Sequence, residues 1–283
     1  MSSHFKPPIR SDELRLLKEF ISEVFGLVLD KNNDGHFTKK LLPRLESLGL
    51  ATFADYYAHL KFSPRAKEEL KRLISIITNN ETYFFREESQ LSVLADVVLP
   101  ALKEKKLKSR DKKLRIVSAG CSSGEEVYTL AMLVIESGCF LWDWDIEIIG
   151  VDIDPQIIER ARSGVYVGRA FQTTQPHYLE RYFRKSDEGL KVKEIVTKIT
   201  SFTEGNLLQM DQIIEKQTVD IIFCRNVLIY FDDESIKRGV HSFANVLRPE
   251  GHLFLGHSES LSRITSNFIS VRFPGAIIYK KRD

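Results

Sequence analysis

Long apolar runs are the first thing this sequence lacks. None approaches the roughly 20 residues that a membrane-crossing helix needs, and the opening MSSHFKPPIRSDELR has no apolar centre of the kind a secretion signal carries. A cytoplasmic protein that does not insert into a membrane is expected. Cysteine is scarce as well: the three present, Cys121, Cys139 and Cys224, are odd in number, far apart and free of any C-x-x-C pair. That excludes a disulfide framework and a zinc site and leaves cytosolic thiols. Excess charge is missing too, with 41 Lys and Arg against 39 Asp and Glu, a net charge of +2, and a pI near 8.3. Such a balance gives no bulk attraction to nucleic acid or anionic membrane, so any charged docking surface is local. Internal repeats and low-complexity segments are absent.

What is present suffices for one large core or two unequal ones: 283 residues, 43% hydrophobic and 28% charged. From Ser11 to about Glu88 the apolar residues recur at helical spacing, as in Leu14, Leu17, Ile21, Val24 and Phe25. Residues 1–88 therefore read as a helical domain, with one helix starting at Ser11 and another running from Ser63-Pro64 to about Ile77. The basic stretch KEKKLKSRDKKLR that ends at Arg115 reads as a solvated helix end and loop rather than an acidic-partner site. Thereafter LRIVSAG, IEIIGVDID, SFTEGNL, VDIIFCRNVLIYF and GHLFLG are β-rich runs, most of them separated by helical stretches. That alternation predicts an α/β domain over 89–283 with a mainly parallel sheet covered on both faces. A polar, aromatic-bearing segment at about 163–202 interrupts it and reads as an inserted subdomain: a helix around Pro176 to Phe183, then a hairpin turning near Asp187 to Gly189.

Asp30, Asn32, Asp34 and Gly35 match the first half of a calcium-binding loop, but its twelfth position is Leu41, which has no oxygen to donate. DKNNDG is expected to be a turn between helices. LRIVSAGCSSGEEVYTLAM is more informative: an apolar strand ends at Ala119-Gly120, a small-residue turn reaches Gly124, and a helix opens with Glu125 and Glu126. Small residues are needed where backbone meets a ligand at the carboxyl end of a strand. No Gly-Lys-Ser/Thr follows, and two glutamates in the first helical turn would repel a pyrophosphate, so the turn suits a nucleoside cofactor carrying positive charge. The next strand ends in Asp152, at the spacing where a carboxylate grips ribose hydroxyls. Asp154 is expected to cap the helix that begins at Pro155.

Taken together, NNETYFFR (79–86), AGCSSGEE (119–126), VDID (151–154), GNLL (205–208), CRNVLIYF (224–231) and GHLFLGHSESL (251–261) resemble the bacterial chemotaxis receptor glutamate O-methyltransferases, the CheR family. Order and spacing agree over nearly the whole chain. The resemblance implies an S-adenosylmethionine-dependent methyltransferase: a Rossmann-like, mainly parallel sheet, an N-terminal all-helical domain and a small inserted antiparallel β-subdomain. It implies S-adenosylmethionine as cofactor, S-adenosylhomocysteine as product and no metal. By the family pattern, Asn80, Thr82, Arg86, Glu126, Asp152, Asn206, Leu207, Asn226 and Val227 bind the cofactor, and Arg86 and Tyr230 are catalytic and flank the reacting sulfur. The alternatives are helix capping for Asn80 and Thr82, an interdomain ion pair for Arg86 and a core aromatic for Tyr230. Core packing is the expectation for Phe84 and Phe85.

The implied substrate is the cytoplasmic helical domain of chemoreceptors, methylated on glutamates in sensory adaptation. The enzyme would be recruited to membrane-bound receptor arrays. Lys39, Lys40, Arg44, Lys61, Arg65, Lys67, Lys71 and Arg72 are candidates for docking, set against ordinary solvated helix faces. The short hairpin RKSDEGLK suggests a member that works without a receptor C-terminal peptide tether, and a monomer is assumed. A dehydrogenase, a catalytically silent cofactor sensor and a nucleic-acid methyltransferase are the competing readings. The last lacks the basic channel that its substrate requires. His257, Ser258 and Glu259 contain the residue types of a hydrolytic triad but are chain neighbours, which seldom converge.

Overall fold

The computed structural model describes residues 10–29, 34–140, 143–262 and 264–282. The chain forms two compact units, residues 1–79 with 230–235, and residues 80–229 with 236–283.

The first unit is helical. α1 (Ser11–Phe25) buries Leu14, Leu17 and Ile21, spaced to fall on one face, and stops at Gly26 in the left-handed region (φ 77°). Asp34 and Gly35 open α2 (Asp34–Leu48), and Asp34 pairs with Lys18. Asp30 and Asn32, with most of the expected turn, lie outside the described residues. α3 (Phe53–Phe62) begins with a reciprocal Thr52–Asp55 capping box. α4 (Ala66–Ile77) starts after Ser63-Pro64 rather than on it, because Ser63 ends α3 by donating its N–H to the His59 carbonyl. Glu69 is buried on α4 and accepts from Arg44 Nε at 2.8 Å and from the Tyr56 hydroxyl at 2.8 Å. Arg44 is therefore committed inside the unit and leaves the set of docking candidates.

The second unit begins at Asn80, earlier than the position 89 expected from helical spacing. The reason is Phe84, which is fully buried and packs on Tyr166, Phe171 and Phe183 with ring centroids 4.9, 5.4 and 5.2 Å away. α5 (Glu88–Val93) runs through a π turn, Leu94–Val98, into α6 (Leu99–Lys108). Pro100 explains the π turn, since it has no N–H to offer the Asp96 carbonyl. The basic stretch is not simply solvated: Lys106 is buried and pairs with Asp111 at 2.9 Å and Asp220 at 2.8 Å.

β1 (Lys113–Ala119), α7 (Glu125–Glu136), β2 (Asp145–Asp152) and α8 (Pro155–Ser163) alternate as expected. Then β3 (Val165–Tyr166), α9 (Pro176–Tyr182), β4 (Phe183–Ser186), β5 (Gly189–Val192) and α10 (Glu194–Thr197) form the insertion, with sheet order β3-β5-β4, antiparallel throughout. The hairpin turn falls at Asp187 and Glu188. The main fold resumes with β6 (Thr200–Glu204), so 200–202 belong to the large sheet, followed by β7 (Val219–Cys224), α11 (Asp233–Val246), β8 (Leu247–Leu255), β9 (Phe268–Phe273) and β10 (Ala276–Lys281). The seven-stranded order is β6-β2-β1-β7-β8-β10-β9; the first five are mutually parallel, and β10 runs antiparallel to both β8 and β9. The order reverses between β1 and β7, and ligands of open α/β sheets bind beyond the carboxyl ends of strands at such a point.

Candidate functional site

The turn after β1 depends on two glycines in the left-handed region, Gly120 (φ 77°) and Gly124 (φ 92°). A Cβ at Gly120 would lie 2.5 Å from Val227 Cγ2, so only glycine lets the loop after β7 close on this turn. Between them, Ser122 ties predicted residues together. Its N–H donates to Asp152 Oδ2 at 2.8 Å, and its hydroxyl donates to the Asn80 carbonyl at 2.9 Å. Asn80 Nδ2 donates to Asp154 Oδ2 at 3.1 Å. Asp154 also caps α8 as expected, accepting from the Gln156 and Ile157 amides. Asp152 is buried, and burial pushes its carboxyl up to about 6. Burial likewise raises Glu125, whose carboxylate accepts from the Ser123 hydroxyl at 2.7 Å.

Glu126, in the first turn of α7, accepts from the Ser118 hydroxyl at 2.7 Å and from Arg225 Nε at 2.7 Å. The guanidinium of Arg225 is buried and also donates to the Arg86 carbonyl at 2.7 Å. Thus the residue following β7 joins the cofactor turn to the segment that carries Arg86. Phe85 and Glu87, on either side of Arg86, both have φ of 59°, a conformation costing side-chain-bearing residues about 1–3 kcal/mol each. The neighbourhood holds it there: Phe84 N–H donates to the Ala170 carbonyl at 2.9 Å, and Phe85 N–H donates to Thr129 Oγ1 at 3.2 Å. Phe85 is half-buried against Tyr178, 4.2 Å between centroids. The Arg86 side chain itself is loosely engaged, reaching the Glu81 carbonyl at 3.5 Å and the Tyr83 ring at 5.7 Å. Among the described residues no carboxylate pairs with it.

Thr82 is half-buried in the same segment. Asn206 caps the turn after β6 through Leu208 N–H at 3.0 Å, and Leu207 is buried beside it. Asn226 is left-handed (φ 60°), and its buried Oδ1 has no hydrogen-bond partner among the described residues. That is the acceptor a ligand amine or hydroxyl could satisfy. Tyr230 lies in the helical unit, 36% exposed, with its hydroxyl 3.5 Å from Asn79 Nδ2. The triad residue types do not converge: His257 meets Glu87 at 3.3 Å, while Glu259 accepts from backbone amides. Among the described residues no cluster of three His, Cys, Asp or Glu side chains could hold a metal. Cys121 and Cys224 are buried free thiols whose pKa burial pushes up, so they are poor nucleophiles.

Sequence reasoning missed Ser122, Arg225 and Glu259. The only available signal for Arg225 was an ionic residue directly after the wholly apolar stretch IIFC, where a charge needs a buried partner.

The donor set fits a nucleoside sulfonium cofactor. A carboxylate (Asp152) stands at the end of β2 for hydroxyls, and the orphaned Asn226 Oδ1 stands beyond β7, while the Glu126 charge is taken up by Arg225. Comparison with known proteins agrees. Residues 80–277 match the family model described as "CheR methyltransferase, SAM binding domain", and residues 12–78 match "CheR methyltransferase, all-alpha domain". Chemotaxis protein methyltransferase 2 of Vibrio cholerae is 37% identical, covering 93% of this chain and 91% of the relative. The chemotaxis protein methyltransferase of Borreliella burgdorferi is 35% identical over 89% of each chain. That of Escherichia coli K12 is 33% identical over 90% of this chain and 86% of the relative.

Proposed function

Since the chain belongs to the CheR methyltransferase family, we propose that it esterifies glutamate side chains on the cytoplasmic helices of chemoreceptors at membrane-bound arrays. S-adenosylmethionine, when bound, supplies a methyl group made electrophilic by the sulfonium. Asp152 and Asn226 hold it by its polar groups, with Asn80, Thr82, Glu126, Asn206, Leu207 and Val227 completing the binding set. A glutamate carboxylate, with an ordinary pKa near 4.3, is already ionised at neutral pH, so the chain need supply no general base. Its task is alignment, which is worth roughly 7–11 kcal/mol in favourable cases. Arg86 orients the incoming carboxylate through charge-assisted hydrogen bonds, with the Tyr230 hydroxyl as a second donor. Charge disappears as anion meets cation, so excluding water helps.

The observation that carries this reading is the treatment of Arg86. Its backbone is fixed between two left-handed residues and bonded to buried Arg225, yet its guanidinium has no carboxylate partner among the described residues. A structural ion pair would show the reverse. The protein works without a peptide tether, in keeping with a hairpin turn of only Asp187 and Glu188.

The test is transfer of radiolabelled methyl from S-adenosylmethionine to receptor cytoplasmic fragments, with and without their C-terminal peptide, followed by mild alkali. Label entering both fragments equally and leaving as methanol is the expected result. Cofactor binding without transfer would reject the reading.

A further inference from the structure

Glu259 lies in the loop after β8, outside the binding set above, yet its carboxylate collects four backbone donors. Oε2 accepts from Gly256 at 2.7 Å and Asn226 at 2.9 Å, and Oε1 accepts from Val227 at 2.9 Å and Ile229 at 3.3 Å. Three of these amides belong to the short loop that follows β7. Successive N–H groups around a left-handed residue make an anion-binding concavity, and here Asn226, with φ of 60°, is that residue. The chain fills the concavity with its own carboxylate.

The surroundings are tight. A Cβ at Gly256 would lie 2.8 Å from Glu259 Oε2 and 3.0 Å from the Asn226 nitrogen, so any larger residue there would push the carboxylate off the amides. On the preceding residue, the Leu255 carbonyl accepts from Gln90 Nε2 at 2.6 Å. On the other side of the loop, Val227 seats against the Gly120 turn. Without the carboxylate, four N–H groups would lose this acceptor, and the left-handed turn at Asn226 would lose what offsets its strain.

We propose that Glu259 is a positioning residue: its carboxylate sets Asn226 and Val227 in their cofactor-competent conformation before the cofactor arrives. The inference rests on the reading of these two residues as cofactor contacts. Glu259 touches neither cofactor nor substrate; it acts through the loop.

The test uses the full chain and its Glu259→Gln variant. Glutamine has the same shape but turns an amide NH2 toward two N–H donors, so one half of the clamp is lost. S-adenosylhomocysteine affinity is measured by calorimetry at 10 °C, beside thermal unfolding and steady-state kinetics. The expected result is a Kd raised about tenfold or more, with KM for S-adenosylmethionine rising and KM for the receptor fragment unchanged. A merely structural glutamate would lower Tm and leave the Kd of the folded variant at the wild-type value, which overturns the proposal. A wild-type chain that fails to bind S-adenosylhomocysteine would remove the cofactor reading itself, independently of Glu259. Should Glu259→Gln not fold, amide hydrogen exchange on the wild-type chain without cofactor decides. Protection at Asn226, Val227 and Gly256 supports the clamp, and exchange at open-loop rates overturns it.

Discussion

Arg86 is rigid in its backbone and loose in its guanidinium, and that asymmetry makes its mutation informative. Replacing it with Ala removes the donor that meets the substrate carboxylate but leaves its carbonyl on Arg225. Turnover should fall on the order of 10²-fold, the usual loss when one oriented donor is deleted, with S-adenosylhomocysteine affinity changed far less. Single-turnover kinetics beside calorimetry separate the two, and a variant with full turnover would remove Arg86 from the chemistry. Asp152 gives a second residue-level prediction, through pH. Burial raises its carboxyl from 3.8 to about 6. Between those values the folded chain holds a proton that the unfolded chain has released, so this group's contribution to the stability of the cofactor-free protein declines as pH rises from about 4 to 6. The ionised carboxylate is the form that accepts from hydroxyls. S-adenosylhomocysteine should therefore bind up to about tenfold more weakly at pH 5 than at pH 7. In Asp152→Asn that pH dependence should vanish, and an unchanged profile in the variant would assign the titration to another group, with buried Glu125 the first to consider.

Among the elements, the segment 80–87 is the joint on which the site turns, and Phe84 anchors it. Phe84→Ala would empty a fully buried position contacted by Tyr166, Phe171 and Phe183, at a cost of about 3–5 kcal/mol. Denaturant unfolding should show that loss. Turnover should also drop in the molecules that remain folded, because Phe84 sits two residues before Arg86; wild-type turnover would mean the strained turn is held by its hydrogen bonds alone. Elements of this kind mark the limit of what the sequence reveals. Apolar spacing was enough for α1 and for β1, β2, β6, β7 and β8 of the large sheet, because burial dictates those patterns, and turn residues marked the hairpin; β9 and β10, whose outer faces stay exposed, were not read from the sequence. The starts of the cofactor turn and of α8 were legible through Gly120 and Asp154, whose local geometry needs those residue types. The boundary at Asn80 was not, since the helical spacing was read on to about Glu88 while the burial that claims Phe84 is tertiary. Nor were Arg225 and Glu259: their partners Glu126 and Asn226 are 99 and 33 positions away in the chain. No period in a sequence encodes such a pairing.

For the whole molecule, near-neutral net charge means that any charged docking surface is local, and in the helical unit exposed acids such as Glu68 are interspersed among the cations. In the helical unit Lys39, Lys61, Arg65, Lys67, Lys71 and Arg72 are exposed, whereas Arg44 is spent on buried Glu69. Lys67 and Lys71 are four apart on α4 and so share a face. Exposed charges of one sign steer an oppositely charged partner and govern association more than chemistry. If this face meets an acidic receptor helix, Lys67→Glu combined with Lys71→Glu should raise KM for the receptor fragment about tenfold at low salt, the scale of a few steering charges. S-adenosylhomocysteine affinity should stay put, because the proposed cofactor residues all belong to the α/β unit. Raising the salt from about 50 to 300 mM shortens the screening length and should weaken the wild-type KM toward that of the double variant, whose own KM should barely move. Equal KM values at both salt concentrations would mean that these lysines are an ordinary solvated helix face, and the docking surface would then have to be sought on the α/β unit.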